Sequence, residues 1–77
     1  NVNAQDEYGD TALTQASQEG HCEIVKLLLN HGADKDIPGF KKYTPLIIAA
    51  ENGHTHVVSV LIENGANVNA QTEDGST

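Results

Sequence analysis

Residues 11–33 read TALTQASQEGHCEIVKLLLNHGA, and residues 44–66 read TPLIIAAENGHTHVVSVLIENGA. Laid over each other at a shift of 33, they place Thr11, Leu13, Ala16, Gly20, His21, Val25, Leu28, Gly32 and Ala33 on Thr44, Leu46, Ala49, Gly53, His54, Val58, Leu61, Gly65 and Ala66. Ile24 with Val57, Leu27 with Val60 and Leu29 with Ile62 add conservative matches. At a shift of 66, the opening NVNAQDEYGDT falls on the closing NVNAQTEDGST, with eight of eleven positions identical. Thr11, Thr44 and Thr77 are therefore one position met three times, and no gap is needed to align them. A repeat of this length is one supersecondary unit stacked on its neighbours.

The residues within a period specify that unit. Thr11 and Thr44 are N-capping residues, and Pro45 stands at a first helical position, where its missing N–H costs nothing. Short helices are predicted over 12–19 and 45–52, rich in alanine (Ala12, Ala16, Ala49, Ala50). Gly20 and Gly53 stop them in the left-handed conformation. Second helices are predicted over 22–30 and 55–63. Ile24, Val25, Leu28 and Leu29 form an apolar stripe on the first, and Val57, Val58, Leu61 and Ile62 on the second. Gly32 and Gly65 close these helices. The polar, turn-rich stretch 34–43 suits a β-hairpin finger joining one helix pair to the next.

Helix, turn, helix and finger at this period, with Thr-Pro-Leu at 44–46, Gly-His at 20–21 and 53–54, and Gly-Ala at 32–33 and 65–66, resemble the ankyrin repeat. The fold implied is an all-α repeat solenoid of ankyrin helix-turn-helix pairs joined by β-hairpin fingers. The whole chain, 1–77, divides into a finger at 1–10, a repeat at 11–43, a second at 44–76, and Thr77 as the start of the next. Because the sequence starts within a finger and stops on that threonine, it is expected to be a fragment with further ankyrin repeats on both sides. Two departures stand out. The family's histidine after Thr-Pro-Leu is replaced by Thr14 and Ile47, so restoring it at Ile47 is expected to add a hydrogen bond. The fingertip glycine, present as Gly9 and Gly75, is Lys42 in the middle finger. A lysine at positive φ is strained, so that finger is expected to turn elsewhere, at Pro38-Gly39. The alternation of Thr-Ala-Leu-Thr with Thr-Pro-Leu-Ile is also similar to the long ankyrin scaffolds that carry KH domains. That likeness places any RNA binding in a module outside this segment.

Composition narrows the function classes. Four lysines, no arginine and 11 acids leave a net charge of −7, which disfavours direct contact with nucleic acid or an anionic membrane. No stretch approaches the roughly 18 consecutive apolar residues of a membrane span. Cys22 stands alone, so no internal disulfide is available, and a lone thiol fits a cytoplasmic or nuclear setting. His54-Thr55-His56 invites a metal reading, but His21 and His54 share a repeat position where the family uses histidine structurally, and no further ligand has metal spacing. No phosphate-binding loop or nucleophile elbow occurs. The expectation is a non-enzyme without cofactor.

Recognition of another protein remains, and the aromatic residues mark where. Only Tyr8, Phe40 and Tyr43 exist, and all three lie in fingers. A small chain ordinarily spends such rings in its core. In ankyrin-like proteins the fingertips and the exposed face of the first helix form the recognition surface. By alignment it comprises Glu7, Tyr8 and Asp10, then Phe40, Lys41 and Tyr43, then Glu73, Asp74 and Ser76, with Gln18, Glu19, Glu51 and Asn52 on the helix side. The competing reading is that the rings pack on a neighbouring finger and only fix its angle. Finger charges run −3 over 1–10, +1 over 34–43 and −2 over 67–76. Two other roles stay open: a structural spacer in a long array, and a substrate of asparaginyl hydroxylation at Asn69. The latter is implied by resemblance of ankyrin fingers to such targets, since Asn69 follows Leu61 and Val68.

Overall fold

The computed structural model describes residues 1–75, so the expectations for Ser76 and Thr77 lie outside the described residues. Four helices follow in order: α1 Ala12–Glu19, α2 Cys22–Asn30, α3 Pro45–Glu51 and α4 Thr55–Glu63, with one 3-10 turn at Phe40–Lys42 before α3. Within each repeat the two helices pack against each other. Between repeats α1 packs on α3 and α2 on α4.

Each boundary has a local cause. The Thr11 hydroxyl accepts from the Thr14 amide at 3.2 Å, and the Thr44 hydroxyl from the Ile47 amide at 3.3 Å. Gly20 ends α1 at φ 77°. α3 ends one residue earlier than predicted. Asn52 takes the cap there, with its Nδ2 donating to the Ile48 carbonyl at 2.9 Å.

The core is the seam between the repeats. Leu13, Ala16, Val25, Leu46, Ala49, Val57, Leu61 and Ala66 form one buried cluster. Each fully buried Leu or Val contributes about 1.5–3 kcal/mol. Equivalent positions show how much depends on a neighbour. Val57 is 1% exposed against repeat one, whereas Ile24, its counterpart, is 47% exposed. At the opposite end Ile62 is 48% exposed.

Polar latches run along the finger side. The Asn3 carbonyl Oδ1 accepts from the Asp34 amide at 2.7 Å, and Asp36 Oδ1, one period on, accepts from the Asn67 amide at 2.9 Å. Asn1, Asp34 and Asn67 each accept from the amide two residues ahead, so the two sets interlock from repeat to repeat. Across the helices, His54 Nε2 meets the Gln18 carbonyl at 2.9 Å and ties repeat two to the end of α1. His21, the same position in the first repeat, reaches Glu19 instead, at 3.0 Å.

Three expectations need correction. No strand forms among the described residues, so the β-hairpin ladder is not shown. The fingers are tight turns, closed in the first by Asp6 N–H to Asp10 C=O at 2.8 Å and in the second by Gly39 N–H to Tyr43 C=O at 2.8 Å. Lys42 does take the left-handed conformation of its glycine counterparts, at φ 64°, and Lys41 joins it at φ 56°. The middle finger keeps the Lys42-to-Gly39 bond and adds Tyr43 N–H to Phe40 C=O, a second turn that the first finger does not make. Two lysines at positive φ store strain of about 1–3 kcal/mol each. Finally, Ile47 is 5% exposed, so it is a buried packing residue rather than a vacant histidine position. In repeat one the same position holds buried Thr14, whose hydroxyl lies 3.2 Å from that of Thr11.

Candidate recognition surface

Finger geometry starts with Asp6 and Asp10. Asp6 Oδ1 accepts from the amides of Tyr8 and Asp10, each at 2.9 Å, and fixes the first finger. Asp10 then reaches across to the second finger, its Oδ1 accepting from the Phe40 amide at 3.0 Å. A Cβ at position 39 would displace that carboxylate from the Phe40 amide, so Gly39 is what lets the latch form. The third finger is hung from the second by Glu73 N–H to Lys41 C=O at 3.0 Å.

This stacking sets the aromatic side chains. Tyr8 and Phe40 meet edge to face, with centroids 5.6 Å apart at 85°. Lys41 Nζ lies 5.5 Å from the Phe40 ring centre. The rings therefore do pack finger to finger, yet Tyr8 keeps 59% and Phe40 49% of its surface exposed. Such a pair is worth about 0.5–1.5 kcal/mol beyond its burial. Tyr43 is half-buried behind them. Its hydroxyl donates to the Glu51 carboxylate, and that bond, with the negative charge of Glu51, raises the phenol pKa above its ordinary value.

Two open depressions of about 310 Å³ each border Tyr43 and share Lys41. One is lined further by Asp10, Gln18, Phe40 and Ile48, the other by Thr72, Glu73 and Asp74. Of the residues named from sequence, Tyr8, Asp10, Gln18, Phe40, Lys41, Tyr43, Glu51, Glu73 and Asp74 are thus brought together. Three are not. Glu7 is exposed with no part in either depression, Glu19 is turned to His21, and Asn52 is used as the α3 cap.

Ile48 and Thr72 were not foreseen. Ile48 was legible in principle, because it lies three residues before Glu51 on the same helix face. Thr72 carried no such signal. It is buried, and its hydroxyl donates to Asp74, which holds the third finger's tip.

Comparison with known proteins agrees with the repeat geometry. Residues 1–72 match the family described as Ankyrin repeats (3 copies). A protein of Rickettsia bellii named for ankyrin repeats is 40% identical over 45 residues, covering 58% of this chain and 27% of its own length. A Caenorhabditis elegans homolog of transient receptor potential cation channel subfamily A member 1 is 42% identical over 45 residues, 58% of this chain and 4% of that protein. The human photoreceptor ankyrin repeat protein is 53% identical over 36 residues, 47% of this chain and 8% of that protein. The chain thus spans about a quarter or less of the length of these relatives. With the stacked helix pairs, the interlocked fingers and a family match over nearly its whole length, the chain belongs to the ankyrin repeat family.

Proposed function

We propose that this segment recognises another protein through its fingers and the adjoining face of α1 and α3. Ankyrin repeats generally serve as protein-interaction modules. The observation that carries the reading here is the half-exposed pair of Tyr8 and Phe40 beside the two Tyr43 depressions. Rings of this size, packed edge to face across the fingers and left about half in solvent, are the residue type that dominates binding energy at interfaces. Holding them in place beforehand also lowers the entropy lost on binding.

A photo-crosslinking side chain at position 8 of the full-length protein tests this. The same probe at position 62, an exposed residue of α4 away from the fingers, is the control. Recognition through the fingers predicts crosslinks to a second protein from position 8. Crosslinks confined to position 62, or to the parent chain itself, would favour the spacer.

The spacer reading rests on the seam itself, where Val57 is buried against the first repeat and α1 and α2 pack on α3 and α4. The hydroxylation reading keeps Asn69, which is exposed and whose amide donates to Asn67 Oδ1 at 2.9 Å. Mass spectrometry of the native protein decides it by the presence or absence of one added oxygen on Asn69.

A further inference from the structure

The chemistry of the two Tyr43 depressions specifies more than a generic partner. On one side of the ring, Phe40 and Ile48 offer apolar surface, edged by Asp10 and Gln18. On the other lie Thr72, Glu73 and Asp74, and Glu51 is bonded to the Tyr43 hydroxyl. Three carboxylates, Asp10, Glu73 and Asp74, therefore line the two depressions and a fourth, Glu51, adjoins Tyr43, against one lining ammonium, Lys41, whose Nζ lies 5.5 Å from the Phe40 ring centre. The bonds these carboxylates make within the fold leave further acceptor sites, since each ionised carboxylate has about four. The surrounding field has the same sign, at −7 for the chain with no arginine. Such a field attracts cationic segments and repels anionic ones.

Resting on the finger-face reading above, we infer that this groove takes a basic segment of a partner protein. An apolar side chain of that segment sits against Phe40 and Ile48. A nearby arginine or lysine lies over Tyr43 and pairs with Glu73 and Asp74. Arginine suits the second depression best, because its planar cation stacks on an aromatic face while its fork meets a carboxylate. An acidic segment of equal apolarity could fill the first depression, but would set like charges against Glu73 and Asp74.

Selection from a displayed random-peptide library on the full-length protein tests the inference, followed by calorimetry of the enriched peptides as synthetic compounds. The expected peptides place Leu, Ile or Phe close to Arg or Lys. Changing that Arg or Lys to Glu weakens Kd tenfold or more, Glu73→Lys in the protein weakens the original peptide and restores the Glu-bearing one, and Phe40→Ala weakens both. Circular dichroism confirms that each variant keeps its helices. Enriched peptides that depend on Phe40 but carry no cation, or that ignore Glu73→Lys, would overturn the inference and leave the finger-face reading standing. Enrichment of only peptides indifferent to Phe40 would overturn both.

Discussion

Gly20 and Gly53 occupy one repeat position, and substituting alanine at each isolates the contact that ties the repeats together. Both have left-handed φ, 77° and 73°, so both substitutions incur the same backbone penalty, about 1–2 kcal/mol for an L-residue there. Alanine's narrower unfolded ensemble offsets about 0.4–1 kcal/mol of it. Their surroundings differ. A Cβ at Gly53 meets nothing within 4 Å, whereas one at Gly20 falls 2.7 Å from His54 Nδ1. The imidazole would have to move, and its bond to the Gln18 carbonyl would go with it. That bond contributes about 0.5–1.5 kcal/mol. Gly20→Ala is therefore expected to cost about 1 kcal/mol more than Gly53→Ala. Urea unfolding of the 77-residue chain measures both, read from midpoints at constant slope. In a His54→Ala background the difference should vanish, as a double-mutant cycle requires for coupled residues. Equal costs in the wild-type background would refute the inter-repeat latch.

Ile47→His should destabilise by about 1–2 kcal/mol, because losing a buried side chain worth about 1.5–3 kcal/mol outweighs one new hydrogen bond; a gain in the urea midpoint would show that Ile47 contributes no packing. Lys42→Gly should stabilise by about 0.5–1 kcal/mol through relief of positive φ, less the added freedom of glycine when unfolded, and a lower midpoint would mean that the lysine side chain holds the finger. The Tyr43 phenol should ionise above the ordinary value of 10.0, because only the neutral form donates to Glu51. That hydrogen bond is present in the ordinary phenol range and is lost as pH rises through the raised pKa. Glu51→Gln should bring the ultraviolet titration of Tyr43 down, and an unchanged curve would remove Glu51 as the cause.

Most of the architecture was legible because the repeat reports each position more than once. Helices could be placed to within a residue because threonine caps and glycine stops recur at fixed offsets in both repeats. The aromatic fingers were legible for a related reason: with only three rings, their absence from the apolar stripes is conspicuous. What failed were the positions where one repeat breaks the pattern. Local preference argued against Lys42 at positive φ, but the bonds from Gly39 to Tyr43 and from Glu73 to Lys41 close the finger around that conformation. Ile47 was judged by the polar residue it replaces, whereas its burial depends on the fold around it. Asp10 was read as a binding residue from its place in the finger. Its bond to the Phe40 amide, thirty residues away, exists only once the fingers stack.

Binding kinetics of the full-length protein with its partner, comparing Phe40→Ala with Lys41→Glu, bears most directly on recognition by the finger face. Phe40→Ala should cost about 2 kcal/mol in affinity, mainly through faster dissociation, while helicity stays unchanged. Lys41→Glu should act chiefly on the association rate and its salt dependence, as a solvent-facing charge does. Unchanged affinity after Phe40→Ala, in a protein that remains folded, would contradict the account and place recognition outside the finger face.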